Sequence, residues 1–143
     1  ISIQAQIINL LIKLKNDLKL TFLFIAHDLS MIRYFSDMVA VMYLGRIVEI
    51  GSAKKIFEKP LHPYTVALQS ANPIPDPEQE KLREQIVLKD DMPSPKNPPK
   101  GCYFHTRCNH KTDLCEKEYP ILKNYGDENN KHHVACIHAE KFL

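Results

Sequence analysis

Residues 21–29 read TFLFIAHDL, and this stretch decides how the front of the chain is interpreted. Its apolar part, residues 21–26, is short and rich in strand-favouring residues, which is typical of a strand buried on both faces of a parallel sheet. The preceding residues carry apolar side chains at helical spacing, at Ile7, Leu10, Leu11, Leu14 and Leu18. A helix that ends near residues 16–19 and leads into a buried strand predicts an α/β fold.

The residues after this stretch predict a short helix and a hairpin. Asp28 is placed to cap the helix, and residues 38–43 are predicted to form another buried strand. Gly45 permits a tight reversal, so residues 46–50 are expected to return antiparallel as an edge strand. Ser52 is then expected to cap a further helix.

The back half of the chain is punctuated by proline. All 10 prolines lie at Pro60 or later. Pro63 suits the first turn of a helix over residues 64–71, whereas residues 73–100 predict a linker or arm with one solvated helix over residues 78–86. We therefore divide the chain into residues 1–72, a Pro-rich arm at 73–100, and a four-cysteine subdomain at 101–143.

Composition limits the classes of function. The chain has 143 residues, 44% of them hydrophobic and 25% charged, as in a globular domain with a tail. Its formal net charge of +2 comes from interspersed charges, which argues against a nucleic-acid partner. The apolar run at 21–26 is far shorter than the roughly 20 residues that span a bilayer. We expect any membrane association to go through a partner protein.

His27 directly follows the predicted strand. In open α/β sheets, ligands bind at the carboxyl ends of strands, so this position suits a ligand-binding residue. The alternative is a histidine that satisfies the following turn, and position alone favours that structural role.

The residues around His27 favour the ligand-binding role. Residues 24–29 and 37–51 resemble the switch-histidine region of ABC-transporter ATPases. The resemblance implies a P-loop NTPase domain that uses ATP and Mg²⁺, in which neutral His27 contacts the γ-phosphate and helps to position the attacking water. Residues 1–6 look like the helix after the family's D-loop, which places Ser2 and Gln4 near a dimer interface. A plain helix start, with Ser2 as cap, stays open.

The phosphate-binding motif of that family is absent from the printed sequence. No G-x-x-x-x-G-K-[ST] loop occurs, and the glycines are too far apart to form one: Gly45, Gly51, Gly101 and Gly126. The chain also starts at Ile1 within a predicted helix. We therefore expect it to be the C-terminal part of a longer subunit, running from just after the D-loop, and not to hydrolyse ATP alone.

The back half narrows the resemblance. Residues 59–65, 71–77 and 93–102 are similar to the C-terminal extension of oligopeptide and dipeptide importer ATPases. This implies a peripheral subunit on the cytoplasmic face of the membrane. Its partners would be a second ATPase subunit, identical or not, a permease and, indirectly, an extracytoplasmic peptide-binding protein. For His62, Pro63 and Tyr64 we predict a cap, a helix-initiating proline and an aromatic anchor.

Four cysteines, Cys102, Cys108, Cys115 and Cys136, cluster in the last third of the chain. Two disulfides, a zinc site, an iron–sulfur cluster and free thiols are the competing interpretations. A reducing compartment disfavours disulfides. Zinc would use histidines as substitute ligands, from among His105, His110, His132, His133 and His138. The family resemblance implies a [4Fe-4S] cluster. A second hypothesis for the whole chain is a non-catalytic iron–sulfur or zinc module for interaction or redox regulation.

Overall fold

The computed structural model describes residues 3–72, 86–88 and 91–143. The chain forms two compact units, unit one at Ile1–Asp37 and unit two at Met38–Leu143. Ser2 and residues 78–85 of the predicted solvated helix lie outside the described residues. The division after residues 72 and 100, which rests on composition, stays a prediction.

Unit one contains two helices, α1 (Ile3–Leu18) and α2 (Leu29–Phe35). Both confirm the sequence-based prediction. The Asp28 carboxylate accepts hydrogen bonds from the backbone N–H groups of Ser30 and Met31, at 2.9 and 3.4 Å, so it caps α2. Phe22 and Phe24 pack against Phe35, with ring centroids 5.8 and 5.3 Å apart.

The buried strand predicted at residues 21–26 is wrong for this structure. These residues form neither helix nor strand, and Leu23 and Ile25 are 92% and 89% exposed. The physical reason is that a strand needs a neighbour for its backbone hydrogen bonds. Among the described residues, no strand pairs with this segment.

Unit two is built on a four-stranded antiparallel sheet in the order β1-β2-β4-β3. Its strands are β1 (Met38–Tyr43), β2 (Arg46–Ser52), β3 (Lys123–Asn124) and β4 (His132–Val134). The predicted hairpin is confirmed, with Leu44 and Gly45 both at positive φ in its turn. The predicted edge position of residues 46–50 is wrong, because β4 pairs with the free side of β2. The sheet is antiparallel, and β1 buries alternate residues on one face only.

Two capped helices follow the hairpin, as predicted. They are α3 (Ala53–Glu58), capped by Ser52, and α4 (Pro63–Ser70), capped by His62. The later elements are short: a 3₁₀ turn at His105–Arg107, helix α5 (Asp113–Lys117) and a 3₁₀ turn at Ala139–Phe142.

The last residues of the chain share a core with Leu61, which lies two residues before α4. Leu61, Val134 and Ala139 are buried together, with Tyr125, Cys136 and Phe142 packed against them. The four-cysteine segment is thus joined to the β1–β2 hairpin through the sheet, and to Leu61 through this core. In the part of the chain that the structure describes, no helix is long and apolar enough to cross a membrane.

Candidate functional site

The four cysteines lie around one small cavity, which we call the cysteine cavity. Cys102, Cys108, Cys115 and Cys136 all line it, and its volume is about 20 Å³. All four are free thiols, so the disulfide interpretation has no support in this structure. Residues separated by up to 34 positions in the sequence thus meet at one point, as a site requires.

Gly101 allows the first and third cysteines to approach each other. Cys102 donates its backbone N–H to the carbonyl oxygen of Cys115, at 2.8 Å. Gly101 has a φ of +67°, and a Cβ at this position would lie 2.4 Å from that same carbonyl oxygen. No other residue type fits there without moving the backbone, because a real Cβ never approaches an oxygen so closely.

The second and fourth cysteines share a local motif. The backbone N–H of His110 donates to Sγ of Cys108, and the N–H of His138 donates to Sγ of Cys136, both at 3.4 Å. Hydrogen bonds of this kind stabilise a thiolate and tune the clusters that thiolates bind.

Burial disfavours the charged form of these thiols. It raises the pKa of Cys102 to about 11 and that of Cys136 to about 12, and it also raises the pKa of Cys108. Neighbouring cysteines add to the effect, because one thiolate repels the next. At neutral pH these groups are therefore protonated unless a cation enters the cavity and stabilises the thiolates.

Three of the five histidines proposed as substitute ligands also line the cavity. These are His105, His110 and His138. The Nδ1–H of His105 donates to the Cys102 carbonyl at 2.8 Å, and Nε2 of His138 lies 3.0 Å from the hydroxyl oxygen of Thr112. Among the described residues, no group of three or more His, Cys, Asp or Glu side chains is arranged so that it could hold a metal ion.

His62 lines the same cavity, although the sequence predicted only a structural role for it. The cap is confirmed, because its Nδ1 accepts the backbone N–H of Tyr64 at 3.1 Å. Tyr64 is the predicted anchor, since its ring packs against Tyr43 and Phe104. The His62 ring is buried, and burial lowers its pKa to about 3, so it is neutral.

Glu49 is a residue whose importance sequence reasoning missed. Its carboxylate is fully buried, and it accepts the backbone N–H groups of Leu61 and His62, at 2.7 and 3.2 Å. The Nε2 atom of His132, on β4, lies 2.8 Å from the same carboxylate. His132 therefore contacts Glu49, and it does not line the cysteine cavity. The available signal was a charged residue between Val48 and Ile50, inside the otherwise apolar run of residues 47–50.

His27 belongs to unit one and is described separately. It is exposed and immediately precedes Asp28, the N-cap of α2. Gln4 lies in the first turn of α1, and its side chain, like Ser2, lies outside the described part of the chain. The structure therefore leaves His27 accessible next to a helix N-terminus but does not test its predicted contact with nucleotide.

An antiparallel hairpin preceded by two helices, with capped helices after it, is consistent with the C-terminal part of an ABC ATPase. One family match is narrower than that class. Residues 48–115 match the family described as "Oligopeptide/dipeptide transporter, C-terminal region".

Curated relatives agree with the family match. The chain is 48% identical over 136 residues to the oligopeptide transport ATP-binding protein AppF of Bacillus subtilis. The aligned region covers 95% of the chain and 40% of the relative. It is 46% identical over 140 residues to the oligopeptide transport ATP-binding protein OppF of Escherichia coli, covering 98% and 41%. For the di/tripeptide transport ATP-binding protein DppF of Pseudomonas aeruginosa, identity is 45% over 145 residues, covering 100% and 42%. The chain thus spans about two fifths of the length of these relatives.

Proposed function

We propose that this chain is the C-terminal part of an ATP-binding subunit of an ABC importer, which couples ATP hydrolysis to the uptake of oligopeptides or dipeptides. The observation that carries the proposal is the family match over residues 48–115, together with relatives named as peptide transport ATP-binding proteins. The intact subunit would be a P-loop NTPase that binds ATP and Mg²⁺. It would pair with a second ATPase subunit and with the permease, on the cytoplasmic face of the membrane.

The exposed apolar segment at residues 21–26 fits this proposal. Leu23 and Ile25 are almost fully exposed, although the segment has the composition of a buried parallel strand. In the intact subunit, strands from the rest of the ATPase domain would pair with it. Its carboxyl end would then place His27 at the edge of the sheet where ligands bind.

His27 would act on the terminal phosphate of ATP. One imidazole nitrogen of a neutral histidine can donate a hydrogen bond to a γ-phosphate oxygen, and this contact orients the phosphate for attack by water. Because phosphoryl transfer depends on positioning and electrostatics, loss of this contact is expected to reduce kcat by orders of magnitude.

The test uses the intact subunit with the variants His27→Ala and His133→Ala. His133 is a partly buried histidine of β4, outside the proposed ATP site, and serves as the matched control. We expect His27→Ala to bind ATP and to lose hydrolysis, while His133→Ala turns ATP over normally. Normal turnover by His27→Ala would remove its proposed role, and an intact subunit without ATPase activity would overturn the proposed function.

For the cysteine cavity we propose a [4Fe-4S] cluster held by Cys102, Cys108, Cys115 and Cys136. Four thiols share one cavity whose lining residues include no carboxylate, and two of the sulfur atoms already accept backbone N–H groups. The void of about 20 Å³ has room for about one water. A cluster would therefore enter only if the cavity widens. Bound there, it would staple together a region poor in large aliphatic side chains.

Anaerobic purification tests this cofactor. We expect a brown protein containing iron and sulfide, and we expect both to be lost in Cys115→Ser. A colourless protein with one equivalent of zinc would show that the cysteines form a zinc site and would overturn the proposed cluster. Absence of any metal would leave four free thiols and overturn this part of the proposal.

A further inference from the structure

Arg46 lies at the start of β2, directly after the turn of the β1–β2 hairpin. In that turn Leu44 and Gly45 have φ angles of 45° and 76°. A positive φ is strained for a leucine, and strained backbone in folded proteins is concentrated in tight turns and ligand sites. The turn therefore fixes the point from which the exposed Arg46 side chain extends.

Two tyrosine rings hold the guanidinium of Arg46. Its central carbon lies 5.8 Å from the ring centroid of Tyr103 and 5.4 Å from that of Tyr119. The two rings contact each other edge to face, with centroids 5.3 Å apart. Because both rings attract the cation, the Arg46 side chain is held in place although it is exposed.

Among the described residues, the N–H groups of Arg46 have no acceptor: the structure assigns no hydrogen bond or ion pair to this guanidinium. Contact with an aromatic ring uses the flat face of a guanidinium, whereas its N–H groups point outward in the plane. A planar group with two oxygen atoms, such as a carboxylate, can accept two of these N–H groups at once. A guanidinium that is held but unpaired thus has the form of a carboxylate site.

The surroundings of Arg46 favour a carboxylate on an apolar molecule over an inorganic anion. Ile121 and Leu122, within three residues of Tyr119 in the chain, are 69% and 42% exposed. Exposed aliphatic and aromatic side chains offer contact area to an apolar ligand. Phosphate sites, by contrast, combine several cations or backbone N–H groups. In the part of the chain that the structure describes, Arg46 is the only cation over these two rings.

We propose that Arg46, Tyr103 and Tyr119 form a binding site for the terminal carboxylate of a short peptide with apolar side chains. The guanidinium donates two hydrogen bonds to the carboxylate, and residues 121–122 contact the side chains of the peptide. The choice of ligand rests on the proposed function, because an importer of oligopeptides or dipeptides releases peptide on the side where its ATP-binding subunits lie. The site would expose the subunit to the concentration of its own imported product.

Titration of the full chain with leucyl-leucine tests the site, followed by the backbone N–H signals of Tyr103 and Tyr119 in ¹H–¹⁵N spectra. We expect saturable binding. Leucyl-leucinamide, which lacks the carboxylate, should bind at least about tenfold more weakly, because the charge-assisted hydrogen bonds are lost.

Variants test the role of the guanidinium. Arg46→Ala should weaken the binding of leucyl-leucine by at least about tenfold. Arg46→Lys should recover only part of the affinity, because an ammonium group keeps the charge but lacks the planar pair of N–H groups. Lys54→Ala is the matched control, since it removes an exposed cation of α3, and it should bind leucyl-leucine as the wild type does.

Two further probes identify the source of the carboxylate. Inorganic phosphate that binds as tightly as leucyl-leucine would show a general anion site and overturn the peptide assignment. Tighter binding of leucyl-glutamyl-leucinamide would assign the site to an acidic side chain of a protein, which would overturn it equally.

The decisive comparison needs no variant to fold. Absence of saturable binding to the wild-type chain, or equal binding of leucyl-leucine and its amide, would overturn the site. The proposed function fails by a different measurement, an intact subunit without ATPase activity, so the two failures are distinguishable.

Discussion

Removal of the Glu49 carboxylate is the perturbation for which the structure gives the most direct magnitude. The carboxylate is 0% exposed and is the acceptor for the N–H groups of Leu61 and His62, and its third partner is the ring of His132. Glu49→Ala leaves these donors buried without an acceptor. At roughly 1–2 kcal/mol for each of the three unsatisfied donors, the expected loss is about 3–6 kcal/mol of unfolding free energy. A domain of this size has about 5–15 kcal/mol in total.

The substitution Glu49→Gln is expected to cost less stability than Glu49→Ala. The amide oxygen can still accept from one or two donors, but the amide nitrogen then faces an N–H group, so we expect a loss of about 1–3 kcal/mol. Urea unfolding of the full chain, followed by far-UV circular dichroism because the chain has no tryptophan, measures both values.

Glu118→Gln and Glu118→Ala are the matched controls, because Glu118 is an exposed glutamate of the same unit. They should change the free energy of unfolding by no more than about 0.5 kcal/mol. The reasoning is refuted if Glu49→Ala and Glu118→Ala have the same midpoint at equal m-values. A second check is a double-mutant cycle with His132→Ala, in which independent effects of the two substitutions would deny the buried contact.

Two further predictions follow from backbone and charge. Gly101→Ala should cost more stability and iron retention than Gly45→Ala: both glycines have positive φ, but an added Cβ meets nothing within 4 Å at Gly45 and lies 2.4 Å from the Cys115 carbonyl oxygen at Gly101. Equal losses in urea titrations would contradict a steric requirement at the cysteine cavity. Because burial lowers the pKa of His62 from the usual 6.5 to about 3, below pH 6.5 the unfolded chain binds a proton that the folded chain does not. Stability should therefore fall as pH falls, by about 2 kcal/mol between pH 7 and pH 5, and His62→Asn should remove this part of the slope; an identical pH profile in the variant would show that His62 does not contribute.

Local signals in the sequence were enough to predict α1 to α4 and the hairpin. The caps Asp28, Ser52 and His62 each act on an N–H two or three residues away, so the information lies within one turn of chain. Gly45 likewise predicted the turn of the β1–β2 hairpin from local sequence alone. The prediction of a strand at residues 21–26 was wrong because a strand forms only beside neighbouring strands, and composition does not show whether these are present.

The long-range features were not predictable in the same way. β4 has three residues and no alternating pattern, and it pairs with β2 across most of the unit. The cysteines were recognised from their number and type, and their meeting at one cavity required the fold. The capping role of His62 was predicted correctly, but its place in the lining of the cysteine cavity depends on Phe104 and Cys102, some 40 residues further along. Which group the cavity holds, and whether His27 contacts nucleotide, stay predictions.

The contact between Glu49 and His132 joins positions 83 residues apart. During synthesis the hairpin therefore leaves the ribosome long before the strand that completes its sheet, and one side of β2 stays open until nearly all of this sequence has been made. Loops of this length close slowly, and open strand edges invite wrong pairing. Nascent chains of increasing length should thus become protease-resistant late, only once residues 132–139 are free to dock.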